Sequence, residues 1–226
     1  LMLNIEDLEN YGAIDFIRTT YGKTYAKNNG VDVNYLPDML ESDKSLYKKL
    51  ESQKEKDSAQ VEEIYALATK VKDGIKEIGT RYEALENKPS GIKSLLILVL
   101  ALVFAPLYIF SLWPALLLYG IPYLSHKKLS ADIMFFGTFM YAFNVLLCIP
   151  LLSAATFLIS FFGTGLWWMG ILHVALIPVL CVFAWNYTKW VGNAVKDLRW
   201  AMAAGTQKGK ELLGRQTELW NKLKNI

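Results

Sequence analysis

Two histidines are the residues best suited to proton chemistry near neutral pH. His126 opens the segment His126-Lys127-Lys128-Leu129-Ser130-Ala131-Asp132. A carboxylate five positions after a histidine can orient the imidazole as a general base against a substrate hydroxyl. Here Asp132 is one residue too far along and the flanking residues do not fit, so the pair is not read as catalytic. His173 lies within a long apolar run, where an ionisable side chain is a functional candidate by default. That run holds no carboxylate to complete a proton relay. The favoured reading is therefore a neutral imidazole bonded to a neighbouring helix carbonyl or hydroxyl. Asn144, in the preceding apolar segment, is the second intramembrane polar candidate and the expected partner of His173.

Lys127 and Lys128 are read as fixing topology at a membrane edge, with contact to a lipid phosphate as their second reading. Cys148 and Cys181 both sit in apolar runs, so they read as small core residues rather than a disulfide or metal pair. The sequence has no Gly-rich phosphate loop, no Cys/His metal spacing, no nucleophile elbow and no paired intramembrane carboxylates. No catalytic residue, cofactor site or metal ligand is assigned.

The elements that carry these residues follow from an uneven distribution of charge. The chain has 226 residues, 53% hydrophobic and 20% charged. From Ser94 to Thr188 there are 95 residues and only three charged side chains, Lys127, Lys128 and Asp132. No soluble domain leaves so long a stretch nearly uncharged, so the expected class is an all-α integral membrane protein with water-soluble ends. Residues 1–92 carry 13 basic and 17 acidic side chains, whereas the tail from Lys189 carries 8 basic and 3 acidic. The tail can touch anionic headgroups or present a solvated helix face. A dense basic stripe with interleaved aromatics is missing, which excludes nucleic acid as a partner. The acidic N-terminus, LMLNIEDLENYG, is no secretory signal. A chain that opens on Leu1 is read as the cut end of a longer polypeptide.

Residues 1–92 read as a soluble helical region. A first helix is expected from Asn4 to Arg18, punctuated by Asn28-Asn29-Gly30, and patterning resumes after Pro37. Val61, Ile64, Ala68, Val71, Ile75, Ile78, Tyr82 and Leu85 then alternate at spacings of three and four. That is an a/d stripe, and it predicts one heptad helix over 58–87. Its partner is the tail helix, with Val191, Val195, Leu198 and Met202, or a second protomer, or a domain outside this sequence.

The first apolar run, 94–125, is 32 residues long and contains Pro106, Pro114 and Pro122. One crossing needs about 20 residues. Three prolines disfavour one straight helix, so the run is a membrane hairpin or re-entrant segment, or else one long broken span. The second run, 133–188, is long enough for two transmembrane helices joined near Gly163-Thr164-Gly165. Trp168 to Tyr187 covers about 28 Å at a rise of about 1.5 Å per residue, a belt-to-belt distance. Reading 94–125 as a hairpin puts the basic loop 126–132 and the basic helix 189–226 on one face with the N-terminal region. Because positive residues favour the cytoplasmic side, two membrane hairpins flanked by soluble amphipathic and coiled-coil helices are expected. Both termini are then cytoplasmic, in a bacterial inner membrane.

The order of parts also carries a likeness. Leu117-Leu118-Tyr119-Gly120-Ile121-Pro122-Tyr123-Leu124 precedes the basic patch Lys127-Lys128-Leu129, and a second hydrophobic block passes through Leu146-Leu147-Cys148-Ile149-Pro150. This resembles the C-terminal membrane region of bacterial glycerol-3-phosphate and lysophosphatidate acyltransferases. In that family a Pro-Tyr-Leu precedes a basic cluster, which Pro122, Tyr123, Leu124, Lys127 and Lys128 match. The family's His-x-x-x-x-Asp and phosphate-binding segments are absent from this sequence. The resemblance therefore implies the membrane-anchoring part of an acyltransferase of phospholipid biosynthesis, with its catalytic domain N-terminal to this chain. The alternative is a non-enzymatic membrane-anchored scaffold whose heptad segment recruits a partner or self-associates as a homo-oligomer. In both readings the bilayer is a partner and no cofactor is called for.

Overall fold

The computed structural model describes residue 5, residues 7–129 and residues 136–225, the side chains of 127–129 excepted. The described residues form helices and no strand. In chain order these are α1 (Tyr11–Asn28), α2 (Leu36–Lys56), α3 (Ser58–Ile78), α4 (Tyr82–Asn87), α5 (Gly91–Leu129) and α6 (Phe136–Phe143). A π-helical turn, Asn144–Cys148, follows, and then α7 (Ile149–Thr164), α8 (Trp167–Ala203) and α9 (Gln207–Lys224). The chain divides into two compact units, one of Leu1–Ser94 with Val195–Ile226, the other of Leu95–Ala194.

The first unit is a helical bundle with a single apolar core. Ile14, Ile17 and Tyr21 of α1, Leu46 and Leu50 of α2, and Val61, Ile64, Ala68 and Val71 of α3 are buried together. Trp200 and the α9 residues Leu212, Leu219 and Leu223 belong to the same cluster. The heptad stripe thus has its partner within the chain: α1, α2 and α9 cover it. Of the tail positions expected to do this, Met202 is 65% exposed. The covering residues come from α9 and Trp200 instead.

Three expected boundaries change. The first helix runs from Tyr11 to Asn28 rather than 4–18, because Tyr21 and Ala26 are buried and carry it past Arg18, while Leu8 stays 80% exposed. The 58–87 helix is two helices. Gly79, at φ 69, ends α3 in the left-handed region that glycine adopts without a Cβ penalty, and its N–H reaches the carbonyls of Ile75 and Lys76. The break lets Thr80 Oγ1 donate to the Lys196 carbonyl (3.0 Å) and Arg81 clasp Asp197 with Nε and Nη2 at 2.7 and 2.8 Å. The tail over 189–226 is likewise not one helix. α8 continues to Ala203, and Thr206 opens α9, its hydroxyl accepting the Gly209 N–H at 3.3 Å.

Ahead of α1, Asp7 accepts from Lys54 Nζ at 2.8 Å and from the backbone and side chain of Asn10. The bond from Lys54, helped by Asn10, holds the Asp7 carboxyl down at about 2, against 3.8 for an ordinary aspartate. A carboxyl depressed by folding stabilises above its unfolded value and loses that contribution as pH falls through the folded one. Asp7→Asn is therefore expected to lower stability at pH 7 by at most about 1 kcal/mol, the measure of a solvent-reached pair. The deficit should vanish as pH is taken from about 4 to 2, as read by thermal unfolding of variant and parent across that range.

In the second unit the expected hairpin over 94–125 is replaced by α5, one helix of 39 residues with Pro106, Pro114 and Pro122 inside it. The physical reason lies in the surroundings. An internal proline removes one hydrogen bond and costs about 3 kcal/mol. A turn within hydrocarbon strands several N–H and C=O groups, each costing several kcal/mol. The helix also absorbs the expected 126–132 loop as far as Leu129; Asp132 lies outside the described residues. At Asn144–Cys148 the chain widens into a π-turn just before Pro150. A ring at Pro150 would press on the Leu146 carbonyl of a regular helix, and the wider turn relieves that clash. Gly165, at φ 71, ends α7, and α8 begins at Trp167.

Three helical stretches are long and apolar enough to cross a membrane: Gly91–His126, Phe136–Thr164 and Trp167–Ala203. Their large side chains face outward, Leu102, Ile109, Phe162 and Trp185 among them. Such surfaces suit lipid rather than water.

Candidate functional site

Among the described residues, few side-chain hydrogen bonds join one apolar helix to another. The Ser160 hydroxyl and His173 Nδ1 share a bond of 2.6 Å, tying α7 to α8 across the Gly165 turn. Gly170 supports this approach, because a Cβ there would lie 2.6 Å from Cδ2 of Phe157 and 3.1 Å from its carbonyl oxygen. The expected Asn144–His173 pair is not formed. In an antiparallel hairpin centred near residue 165, His173 meets residues only a few positions before the turn, and Asn144 lies too far back. Asn144 sits in the π-turn with its Oδ1 buried and without a hydrogen-bond partner. Ser160, which serine's neutrality inside an apolar run concealed, is the partner; its place thirteen residues before His173 across a Gly turn was the available signal.

His126 is buried near the end of α5, its ring edge-on to Phe136 at 5.0 Å and Phe139 at 5.4 Å. The side chains of Lys127 and Lys128 lie outside the described residues, as does Asp132, so the headgroup contact expected of the two lysines has no geometry here. Cys148 and Cys181 are free thiols, the first buried in the π-turn. Among the described residues no three His, Cys, Asp or Glu side chains are placed to hold a metal ion.

The most developed polar arrangement in this unit forms where α5 passes α8. Tyr187 Oη donates to the Ala101 carbonyl at 2.7 Å. Tyr108 stacks on Tyr187 with ring centroids 4.3 Å apart. Because the Thr188 hydroxyl donates to the Ala184 carbonyl at 2.8 Å, it accepts from Tyr108 Oη at 2.9 Å. Trp190 meets the Tyr187 ring edge-on at 6.3 Å. These bonds fix Tyr187 as the wall of an open cleft of about 540 Å³. Phe104, Phe183 and Trp190 line it with rings, and Asn186, Lys189 and Asn193 supply its polar edge along α8.

Sequence reasoning read Tyr187 as one end of a belt-to-belt crossing and missed the polar edge beside it. Its signal was the placement of Asn186, Lys189 and Asn193 at helical spacing, where the uncharged stretch ends. The cleft offers an ammonium and two amides beside aromatic rings. Such groups can bind and orient a ligand.

Compared with known proteins, the chain matches no family model, no curated protein and no solved structure.

Proposed function

We propose that this chain is a membrane-anchored helical module that holds a folded body at one face of a bilayer. One observation carries the reading. The body takes its core from both sides of the apolar stretch, with Ile17, Ile64 and Val71 before it and Trp200, Leu212 and Leu219 after it. Residues that share a core share a side of the membrane. The chain then crosses an even number of times, so at most two of the three apolar helices complete a crossing. Positive residues favour the cytoplasmic face, which supports a body that lies, with both termini, on the inner side of the membrane, a bacterial inner membrane on this reading.

Recruitment through the 61–85 stripe is not part of this proposal, because a partner there would have to displace α1, α2 and α9. Outer faces of the body are left to carry any protein contact.

Single cysteines in place of Lys48 and Lys210, in a chain with Cys148 and Cys181 replaced by alanine, test the arrangement. Both should react with an impermeant thiol reagent from the same side of sealed vesicles. Labelling from opposite sides would overturn the proposal.

The phrases Leu117–Leu124, Lys127–Leu129 and Leu146–Pro150 favour a narrower second reading, in which the module belongs to glycerolipid acyl transfer. On that reading a catalytic domain bearing His-x-x-x-x-Asp moves an acyl group from a thioester to a glycerol-phosphate hydroxyl, and this chain holds it at the leaflet where such substrates partition. Membranes containing this chain and the polypeptide encoded next to it should then acylate glycerol 3-phosphate or lysophosphatidate. Unchanged acylation after deletion of residues 91–226 would remove the narrower reading and leave the anchor intact.

A further inference from the structure

We propose that the cleft between α5 and α8 is a binding site for one anionic glycerophospholipid, with Lys189, Asn186 and Asn193 on its phosphate and one acyl chain against Phe104 and Phe183. The proposal rests on α5 and α8 lying in a membrane, and it goes further by giving a particular lipid a particular seat.

Three observations converge on that occupant. The first is the arrangement of the walls. Phe104, Phe183 and Tyr187 line it with ring surface, whereas the amides and the ammonium come from Asn186, Lys189 and Asn193, farther along α8 than Phe183. That order matches an amphiphile that enters with its tail inward, and it does not suit a free phosphate, which would leave the aromatic rings uncovered. The second is charge. Lys189 is the first charged residue after the uncharged part of the second apolar run, so its ammonium stands where headgroups lie. Among the described residues the side chains of Asn186, Lys189 and Asn193 hold no hydrogen bond or ion pair of their own. An ammonium with three donors and two amides with two each are therefore available to phosphate oxygens. The third is rigidity. Tyr187 is fixed on three sides, by the Ala101 carbonyl, the Tyr108 ring and Trp190. The wall consequently stands in place before a lipid arrives, and little ordering is left to be done on binding.

The helical register completes the argument. Asn186, Lys189 and Asn193 follow one another at three and four residues, so all three project from one side of α8. Phe183 lies one turn earlier on that side, toward the apolar interior. A single lipid, headgroup toward Asn193 and chain toward Phe183, spans this distance along the helix.

The test uses the full chain purified in mild detergent with equal amounts of phosphatidylglycerol and phosphatidylcholine, followed by native mass spectrometry of the retained lipid. Phosphatidylglycerol should be retained preferentially, and Lys189→Gln should reduce its retention by about tenfold, the scale of one charge-assisted hydrogen bond. Phe183→Ala should weaken retention of both lipids. Lys196→Gln, an exposed lysine outside the cleft, should leave the ratio as it was. Millimolar glycerol 3-phosphate should not displace the lipid; if it does, the site recognises soluble phosphate and the proposal falls. Equal retention of the two lipids, or a Lys189→Gln protein that behaves as the parent, also overturns it. Flotation of the parent with phosphatidylcholine vesicles separates the two levels: a chain that fails to float contradicts the membrane placement itself. One that floats without discriminating lipids contradicts only the cleft.

Discussion

Replacing Trp200 by alanine is expected to destabilise the helical bundle of the first unit by about 3–5 kcal/mol, the range for truncating a buried aromatic side chain. Trp200 is 2% exposed and sits in the cluster that joins the N-terminal helices to α9. It reaches that core from the last turns of α8, whose backbone is fastened one turn earlier by the Thr80 hydroxyl on the Lys196 carbonyl and by Arg81 on Asp197. Removing the indole leaves a cavity that these fastenings keep from closing. Because a domain of this size has only about 5–15 kcal/mol of stability, the loss is a large part of the total. The apolar helices should stay inserted, since Trp200 belongs to the first unit only. Denaturant unfolding of the protein in micelles, followed by near-ultraviolet circular dichroism, measures the change. Met202→Ala, two residues on and 65% exposed, serves as the control and should change stability by no more than about 0.5 kcal/mol. A Trp200→Ala protein within about 1 kcal/mol of its parent would mean that the two ends of the chain do not depend on a shared core.

Trp200 also marks the limit of what the residues declare before folding. The nearly uncharged stretch from Ser94 to Thr188 announces through composition alone helices that could span a membrane, and among the described residues three are long and apolar enough to do so. Spacing alone predicted the buried face of α3, since Val61, Ile64, Ala68 and Val71 must lie on one side of any helix. What covers that face is a long-range matter, decided by the turn at Thr206 that folds α9 back, and nothing local distinguishes α9 from the end of α8 as its partner. The prolines misled in the opposite direction. Judged by their effect in water, three of them argue for a break in 94–125. Judged against the cost of bare peptide groups in hydrocarbon, the helix continues through all three. The polar edge at Asn186, Lys189 and Asn193 was hidden for a related reason. Each residue is unremarkable alone, and only the approach of Phe104 from α5 turns that side of α8 into a cleft.

Gly209→Ala is expected to be the most damaging of the glycine substitutions in the body, because α9 starts in a space with no room for a methyl group. A Cβ at Gly209 would fall on the carbonyl oxygen of Ala203, and would lie 2.8 Å from that residue's carbonyl carbon and 2.9 Å from the Ala204 Cα. All three are backbone atoms, so no rotamer change can make way. The φ of Gly209 is not in the left-handed region, which makes the effect one of space rather than of conformational freedom. The turn from Ala203 to Thr206 would have to open, and with it the Thr206 cap and the angle at which Leu212, Leu219 and Leu223 meet α3. A loss at or beyond the upper end of about 1–3 kcal/mol for overpacking follows. Two further substitutions separate this cause from a general intolerance of change. At Gly74 the added methyl would meet Leu212 Cδ1 at 2.8 Å, the end of a flexible side chain, so Gly74→Ala should cost less. At Gly214, on α9 itself, nothing lies within 4 Å. There alanine should stabilise the helix by up to about 1 kcal/mol through propensity alone. Unfolding midpoints of the three variants should therefore rank Gly214→Ala above the parent, Gly74→Ala below it and Gly209→Ala lowest. A Gly209→Ala protein as stable as the Gly74→Ala one would show that α9 does not turn back against Ala203 as closely as the structure has it.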